Sequence, residues 1–251
     1  MTAPGLLIIN ADDWGLDAAT TDAIERCFAA GAVTSASAMV FMEDSQRAAS
    51  IARQRGRSVG LHINLTEALT DGGVPVGVRD RQQRLVEYFA GPPRRRWAFS
   101  PTHRAEVERA IADQLGEFRR LYASEPTHLD GHQHIHQALT VLAARTLPRG
   151  ARMRPSFTFA AGEKTPLNRA TRRLLNAIMA ARFRTPRYFF SIRDMHPALG
   201  GVAMEGKLAL ASGAAVEVMT HPGWDDELAI LLDPAWKELV GLRRLGGYES
   251  L

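Results

Sequence analysis

The sequence predicts a single-domain α/β protein, an irregular TIM-like (β/α) barrel with about seven parallel strands. Three observations carry this. Short apolar, β-branched runs alternate with longer amphipathic stretches, no hairpin signal separates them, and 251 residues suffice for one barrel. A doubly wound open sheet is the alternative.

The expected strands are Leu6–Asn10, Val33–Val40, Val59–Leu65, Thr127–Asp130, Ala151–Arg154, Tyr188–Ile192 and Ala215–Thr220. The first helix begins after Asp17, an N-cap residue type, and stops at Gly31. Another starts at Ser100-Pro101 and repeats Val107, Ile111, Leu115 and Phe118 at helical spacing. Leu167–Phe183 and Pro234–Leu245 read as further helices, while 67–99 and 156–194 read as loop excursions from the one domain, with a lid over 156–168.

Composition narrows the function. Hydrophobic residues make up 45% and charged residues 23%, an ordinary globular balance. The lone Cys27 permits no intrachain disulfide and reads as a buried small apolar residue. Leu6–Ile9 is too short an apolar run for a signal peptide, and no stretch nears the roughly 18 apolar residues of a membrane span. A cytoplasmic protein is expected. Net charge is +4, with basic clusters at Arg79–Arg84, Arg94–Arg96 and Arg169–Arg184. No aromatic stacking motif interleaves with them, so solvated faces are expected, not nucleic-acid binding.

In parallel α/β folds the chemistry gathers at the C-terminal ends of strands. Four of the expected strands end in polar groups. LIINADDWG places Asp12 and Asp13 after an apolar run. GLHINLT puts His62, Asn64 and Thr66 on one face. HLDGHQHIH carries His128, Asp130, His132, His134 and His136 at every second position, with Gly131 breaking any helix through its middle. VEVMTHPGW ends at His221. Each feature alone has a bland explanation as a cap, a loop residue or a core histidine. Together at one end of a fold they predict an Asp/His metal site.

One carboxylate and two neutral imidazoles suit a divalent metal with an open position, which acidifies water and polarises a carbonyl. A second aspartate, off the metal, can take a proton. The remaining histidines and Asp130 can orient ligands or act as general acid.

With these motifs assembled, the chain resembles the YdjC/ChbG-type carbohydrate deacetylases. NADDWG (10–15), GLHINLT (60–66), PTHLDGHQHIH (126–136) and VEVMTHPG (216–223) stand in the family's order. The resemblance implies metal-dependent removal of an acetyl group from an N-acetylated amino sugar, as oligosaccharide or glycolipid. It implies one divalent ion, zinc or magnesium, held by Asp13, His62 and His132. Asp12 would be the general base and His221 the general acid on the departing amine. Asn64, His128, Asp130, His134, His136 and Arg154 are expected at the substrate or behind the ligands, with Asp194 also on the substrate side; for Arg154 and Asp194 a salt-bridged structural role is the alternative. Trp14 stands where the family usually has Phe, a change expected at the pocket wall. A homo-oligomer is compatible with the sequence. The competing readings are a metal phosphoesterase, which often needs two metals and more carboxylates than this chain offers, and a receiver-like binding module, which has no use for His62 or the histidine run.

Overall fold

The computed structural model describes residues 5–251. The first four residues, part of the N-terminus read above for targeting, lie outside the described residues. Among the described residues, one sheet holds six strands: β1 (Leu6–Trp14), β2 (Ser35–Ala38), β3 (Val59–Ile63), β4 (Leu129–Gly131), β5 (Tyr188–Ser191) and β6 (Ala215–Thr220). Their order is β4-β3-β2-β1-β6-β5, and every pairing is parallel. The sheet curls into a half-barrel.

The parallel α/β architecture is as expected, while the irregular barrel of about seven strands is corrected to a half-barrel of six. Ala151–Arg154 makes only isolated bridges, Leu129 to Met153 and Arg152 to Arg184. Pro148 and Pro155 flank this stretch, and proline has no N–H to extend a ladder. The segment crosses the open side of the half-barrel as an irregular stave. Further along, Thr158 donates its N–H to the Phe189 carbonyl (3.0 Å).

Helix Ala18–Ala30 starts and stops where its ends predict. The Asp17 carboxylate accepts from the Thr20 N–H (2.7 Å), and Gly31 turns left-handed (φ 69°) so that its own N–H meets the last carbonyls. Helix Pro101–Tyr122 buries Val107, Ile111, Leu115 and Phe118 against the sheet and its neighbouring helices, as their spacing predicts. The Ser100 hydroxyl does not cap it and meets Thr102 and His103 instead. The 67–99 excursion is more ordered than a loop, for it contains helix Val76–Phe89 and the turn of helix Arg94–Trp97. Its Arg81 and Arg84 pair with Asp113 and Glu106, which fits a solvated, paired face. Among the described residues, no helix is long and apolar enough to cross a membrane.

Strand alternation divides the interior. The convex face carries Leu7, Ile9, Ala36, Leu61, Ile63, Val216 and Val218, all buried in the main apolar core. Cys27 lies in that core, where burial pushes its thiol up to about 12 and keeps it an unreactive small apolar residue. Trp14 is also core, edge-on to Phe28 at 6.0 Å, and not a pocket wall. The concave face is different. Leu6, Ile8 and Tyr248 form a small apolar floor. Above it the inward positions are polar: Asn10, Asp12, Ser37, His62, His128, Asp130 and Glu217, every one buried. Gly60 is required on this face, because a Cβ there would run into the His128 ring.

Candidate active site and metal centre

The C-terminal end of β1 supplies two adjacent carboxylates. In a regular strand they would face opposite sides. Between Ala11 and Trp14 the register with β2 shifts, and Asp13 adopts a left-handed backbone (φ 71°). The irregularity turns both carboxylates toward His62: its Nε2 lies 3.4 Å from Asp13 Oδ1 and 3.9 Å from Asp12 Oδ2. An aspartate tolerates this conformation better than most residues, at a cost of order 1 kcal/mol.

His132 follows β4 after the Gly131 turn. Gln133 and His134, both left-handed (φ 50° and 58°), carry the chain away immediately afterwards. His132 Nδ1 thereby comes within 3.1 Å of Asp13 Oδ1. Asp13, His62 and His132 offer one donor atom each, all within 4.8 Å of one another. His62 Nδ1 donates to Asp130 Oδ1 (2.8 Å), which leaves the Nε2 lone pair facing Asp13. That donor set and that aim fit a divalent ion. Asp12, His62 and Asp130 form a second group of similar spacing. Its space already holds a positive charge, the Arg154 guanidinium, so it does not suit a second ion.

Arg154 is wholly buried among three carboxylates. Its Nη1 and Nη2 grip Asp12 at 2.7 and 2.6 Å, Nη1 also meets Asp130 Oδ2 at 2.8 Å, and Nε donates to Glu217 Oε1 at 2.7 Å. Phe189 packs against the guanidinium at 5.1 Å. Burial pushes the Asp12 carboxyl up, but Arg154 and His62 outweigh it and hold the group down to about 2. Asp130 is held well below the carboxylate range by the same partners against the same burial. Glu217 goes the other way. Burial raises it to about 7, against the pull of Arg154 and the Tyr248 hydroxyl that donates to it. One guanidinium does not neutralise three buried carboxylates.

This has a consequence for pH. Between about 4.5 and about 7 folded Glu217 holds a proton that the unfolded chain releases. The contribution is fully present below about 4.5 and lost as pH rises through about 7. The Asp12 contribution has the opposite sign and is lost only as pH falls from about 3.8 toward about 2. Glu217→Gln is expected to flatten the decline in urea midpoint between mildly acidic and neutral pH. A variant that keeps the wild-type slope counts against the assignment.

His221 leaves β6 and stacks on Trp224 at 4.3 Å. Its Nε2 lies 3.9 Å from Asp12 Oδ2, and buried Glu227 accepts from its backbone N–H at 2.6 Å. Burial disfavours the imidazolium, yet Glu227, Asp12 and Asp13 raise its pKa overall.

Other expected site residues have different employment. Asn64 spends its side chain on the loop: Oδ1 accepts from Thr66 and Glu67 N–H, and Nδ2 donates to the Glu67 carbonyl. His128 is buried beneath the cluster, stacked on Tyr248 at 3.9 Å and bonded to Ser37 at 3.0 Å; burial drops its pKa to about 3. His136 is fully buried, driven down to about 4, and packs against Gly131. Both rings are enclosed by protein; His128 is bonded, whereas neither ring nitrogen of His136 has a hydrogen-bond partner among the described residues. Asp194 is exposed and offers its backbone carbonyl to Val202 and Lys207. His134 does face an opening. It lines a cleft of about 120 Å³ with Arg96, Trp97, Gln133, Gln137 and Arg172. A larger cavity of about 650 Å³ lies under Tyr188 and Phe190, across β5 from Phe189, and holds none of the cluster.

Asn10, Ser37, Glu217, Glu227 and Tyr248 were not anticipated. Glu217 had a signal, a lone acid inside an apolar strand. Asn10 and Ser37, whose side chains link Asp12 to Asp130 (2.8 Å between them), had none beyond their polarity.

Fold and site together define a class: a parallel α/β half-barrel whose strand ends assemble an Asp–His–His cluster suited to a divalent cation. Within that class the chain belongs to the YdjC-like protein family, whose model matches residues 6–241. It is 37% identical over 136 residues to a mouse carbohydrate deacetylase, covering 52% of this chain and 42% of that protein. With a chitooligosaccharide deacetylase of Serratia marcescens it shares 33% over 132 residues, 52% and 50% of the two chains. These alignments span half or less of the relatives' length. A chitooligosaccharide deacetylase from Enterobacter sp. strain 638 is 27% identical over 98% of this chain and 99% of its own. The crystal structure of a proposed cellobiose-phosphate cleavage protein from Enterococcus faecalis superposes with a TM-score of 0.67 at 21% identity, covering 98% of each chain. That likeness concerns the fold.

Proposed function

We propose that this protein is a metal-dependent hydrolase that removes the acetyl group from an N-acetylated amino sugar. The observation that carries the reading is the convergence of His62 Nε2 and His132 Nδ1 on Asp13 Oδ1, beside a second carboxylate, Asp12, immobilised by Arg154. Relatives named carbohydrate and chitooligosaccharide deacetylases support the sugar as substrate class.

Asp13, His62 and His132 would hold the ion, zinc or magnesium. When bound it acidifies water and polarises the amide carbonyl. Asp130 fixes the His62 tautomer through Nδ1. Asp12 takes the proton of the attacking water. Arg154 keeps the carboxylate ionised, down to about 2, and sets its direction. His221 stands 3.9 Å from the same carboxylate, and its acidic neighbours favour the imidazolium against burial. It delivers the proton to the departing amine. Trp97, half-exposed at the cleft beside His134, offers a ring face on which a sugar could stack. A lone, buried Cys27 is consistent with a reducing, cytoplasmic setting.

The test is acetate release from N-acetylglucosamine oligomers and other acetylated amino sugars, with and without chelator. Release that chelator abolishes and added metal restores is expected. Chelator-sensitive phosphatase activity with no acetate from any sugar would favour the phosphoesterase and sink this reading.

A further inference from the structure

Glu67 closes the cluster from the loop after β3. Its Oε1 stands 3.0 Å from His132 Nε2, while His132 Nδ1 stands 3.1 Å from Asp13 Oδ1. His62 repeats this arrangement with its ring nitrogens exchanged: Nδ1 is 2.8 Å from Asp130 Oδ1, and Nε2 is 3.4 Å from Asp13 Oδ1. Each imidazole has one nitrogen on an outer carboxylate and the other on the shared Asp13 oxygen. A neutral imidazole carries a single N–H. His132 Nδ1 donates to Asp13 in this structure; once an ion displaces that proton, the remaining N–H is the one donated outward to Glu67.

We infer that Glu67 is the positioning residue for His132, as Asp130 is for His62. Metal-bound histidines commonly donate their second nitrogen to a carboxylate in this way, which fixes both tautomer and ring direction. The inference rests on Asp13, His62 and His132 being the metal ligands, and it assigns His62 Nε2 and His132 Nδ1 as the ligating atoms.

The loop is built to hold Glu67 in place. Asn64 Oδ1 accepts from the Glu67 N–H at 2.9 Å. Gln82 Nε2 donates to the carbonyls of Glu67 (2.6 Å) and Asn64 (3.1 Å). Gln114 both donates to the Asn64 carbonyl (2.7 Å) and accepts from its N–H (2.9 Å). All three amide side chains are buried, at 1–2% exposure. Three buried amides thus fix the backbone of a loop whose outermost carboxylate is 43% exposed and meets His132. A pair whose carboxylate stands 43% exposed is screened by water and contributes little to folding stability. Its effect should fall on the ion.

The experiment titrates zinc, and in parallel magnesium, into metal-free wild type, Glu67→Ala and Glu67→Gln, reading affinity by competition with a chromophoric chelator and Tm by calorimetry. Glu67→Ala is expected to weaken binding about 10- to 100-fold with an unchanged metal-free Tm. Glu67→Gln keeps a carbonyl acceptor for the His132 N–H and should recover most of the affinity. Wild-type affinity in Glu67→Ala overturns the inference and leaves the metal site standing. So does a fall in metal-free Tm, which would make Glu67 a structural residue of the loop. Wild type that binds neither ion overturns the metal-site reading and this inference with it.

Discussion

Arg154→Met is expected to leave little stably folded protein. The side chain is wholly buried and contacts Asp12, Asp130 and Glu217, which are at most 2% exposed. Breaking one buried ion pair by removing a single partner costs about 3–5 kcal/mol, because the remaining charge stays desolvated and unpaired. Here one deletion strands three carboxylates. Glu217 meets the loss by keeping its proton, but Asp12 and Asp130 must protonate or stay charged beside each other. A typical domain has only about 5–15 kcal/mol to lose. Expected readouts are low soluble yield and a urea midpoint far below wild type at neutral pH. Lowering the pH toward the carboxylate range should recover part of the loss. A near-wild-type midpoint at neutral pH would show that the network is not what holds the concave face together.

Asp13→Asn should separate function from stability. Asparagine tolerates the left-handed backbone at this position nearly as well as aspartate does. The change also removes a charge that burial opposes and that only the His132 bond and the two histidines stabilise. The metal-free Tm should stay within a few degrees of wild type. Acetate release should fall to background, since the amide is a poor anionic ligand and Asp13 Oδ1 is the atom both histidines face. Retained chelator-sensitive release by Asp13→Asn would remove Asp13 from the centre of the site.

The strand ends that build the cluster were legible because each breaks an apolar run with groups that are costly to bury. Asp12, Asp13, His62, His132 and His221 all come together where alternating strands and helices should bring them. The rest depended on distant partners. Arg154 reads as a strand-end residue for either substrate or a structural salt bridge, and only Asp12, 142 positions away, and Glu217, 63 positions away, decide for the second. His128 and His136 carry the same two-residue spacing as His132, yet they are core residues. Their setting comes from Tyr248 near the chain's end and from close packing at Gly131. Spacing identifies a face, not what covers it. Asn64 likewise lay on the right face of GLHINLT, but a strand ending at Ile63 turns it into the pivot of the next loop. The barrel fell short of closure for a local reason, two prolines around Ala151–Arg154, that alternation of apolar runs does not weigh.

The most direct measurement is anomalous X-ray diffraction from crystals grown with zinc. One ion is predicted, bonded to Asp13 Oδ1, His62 Nε2 and His132 Nδ1, with Asp12 still gripped by Arg154 and not ligating. An ion held by Asp12 and Asp130 instead, or no ion at this end of the half-barrel, would contradict the account.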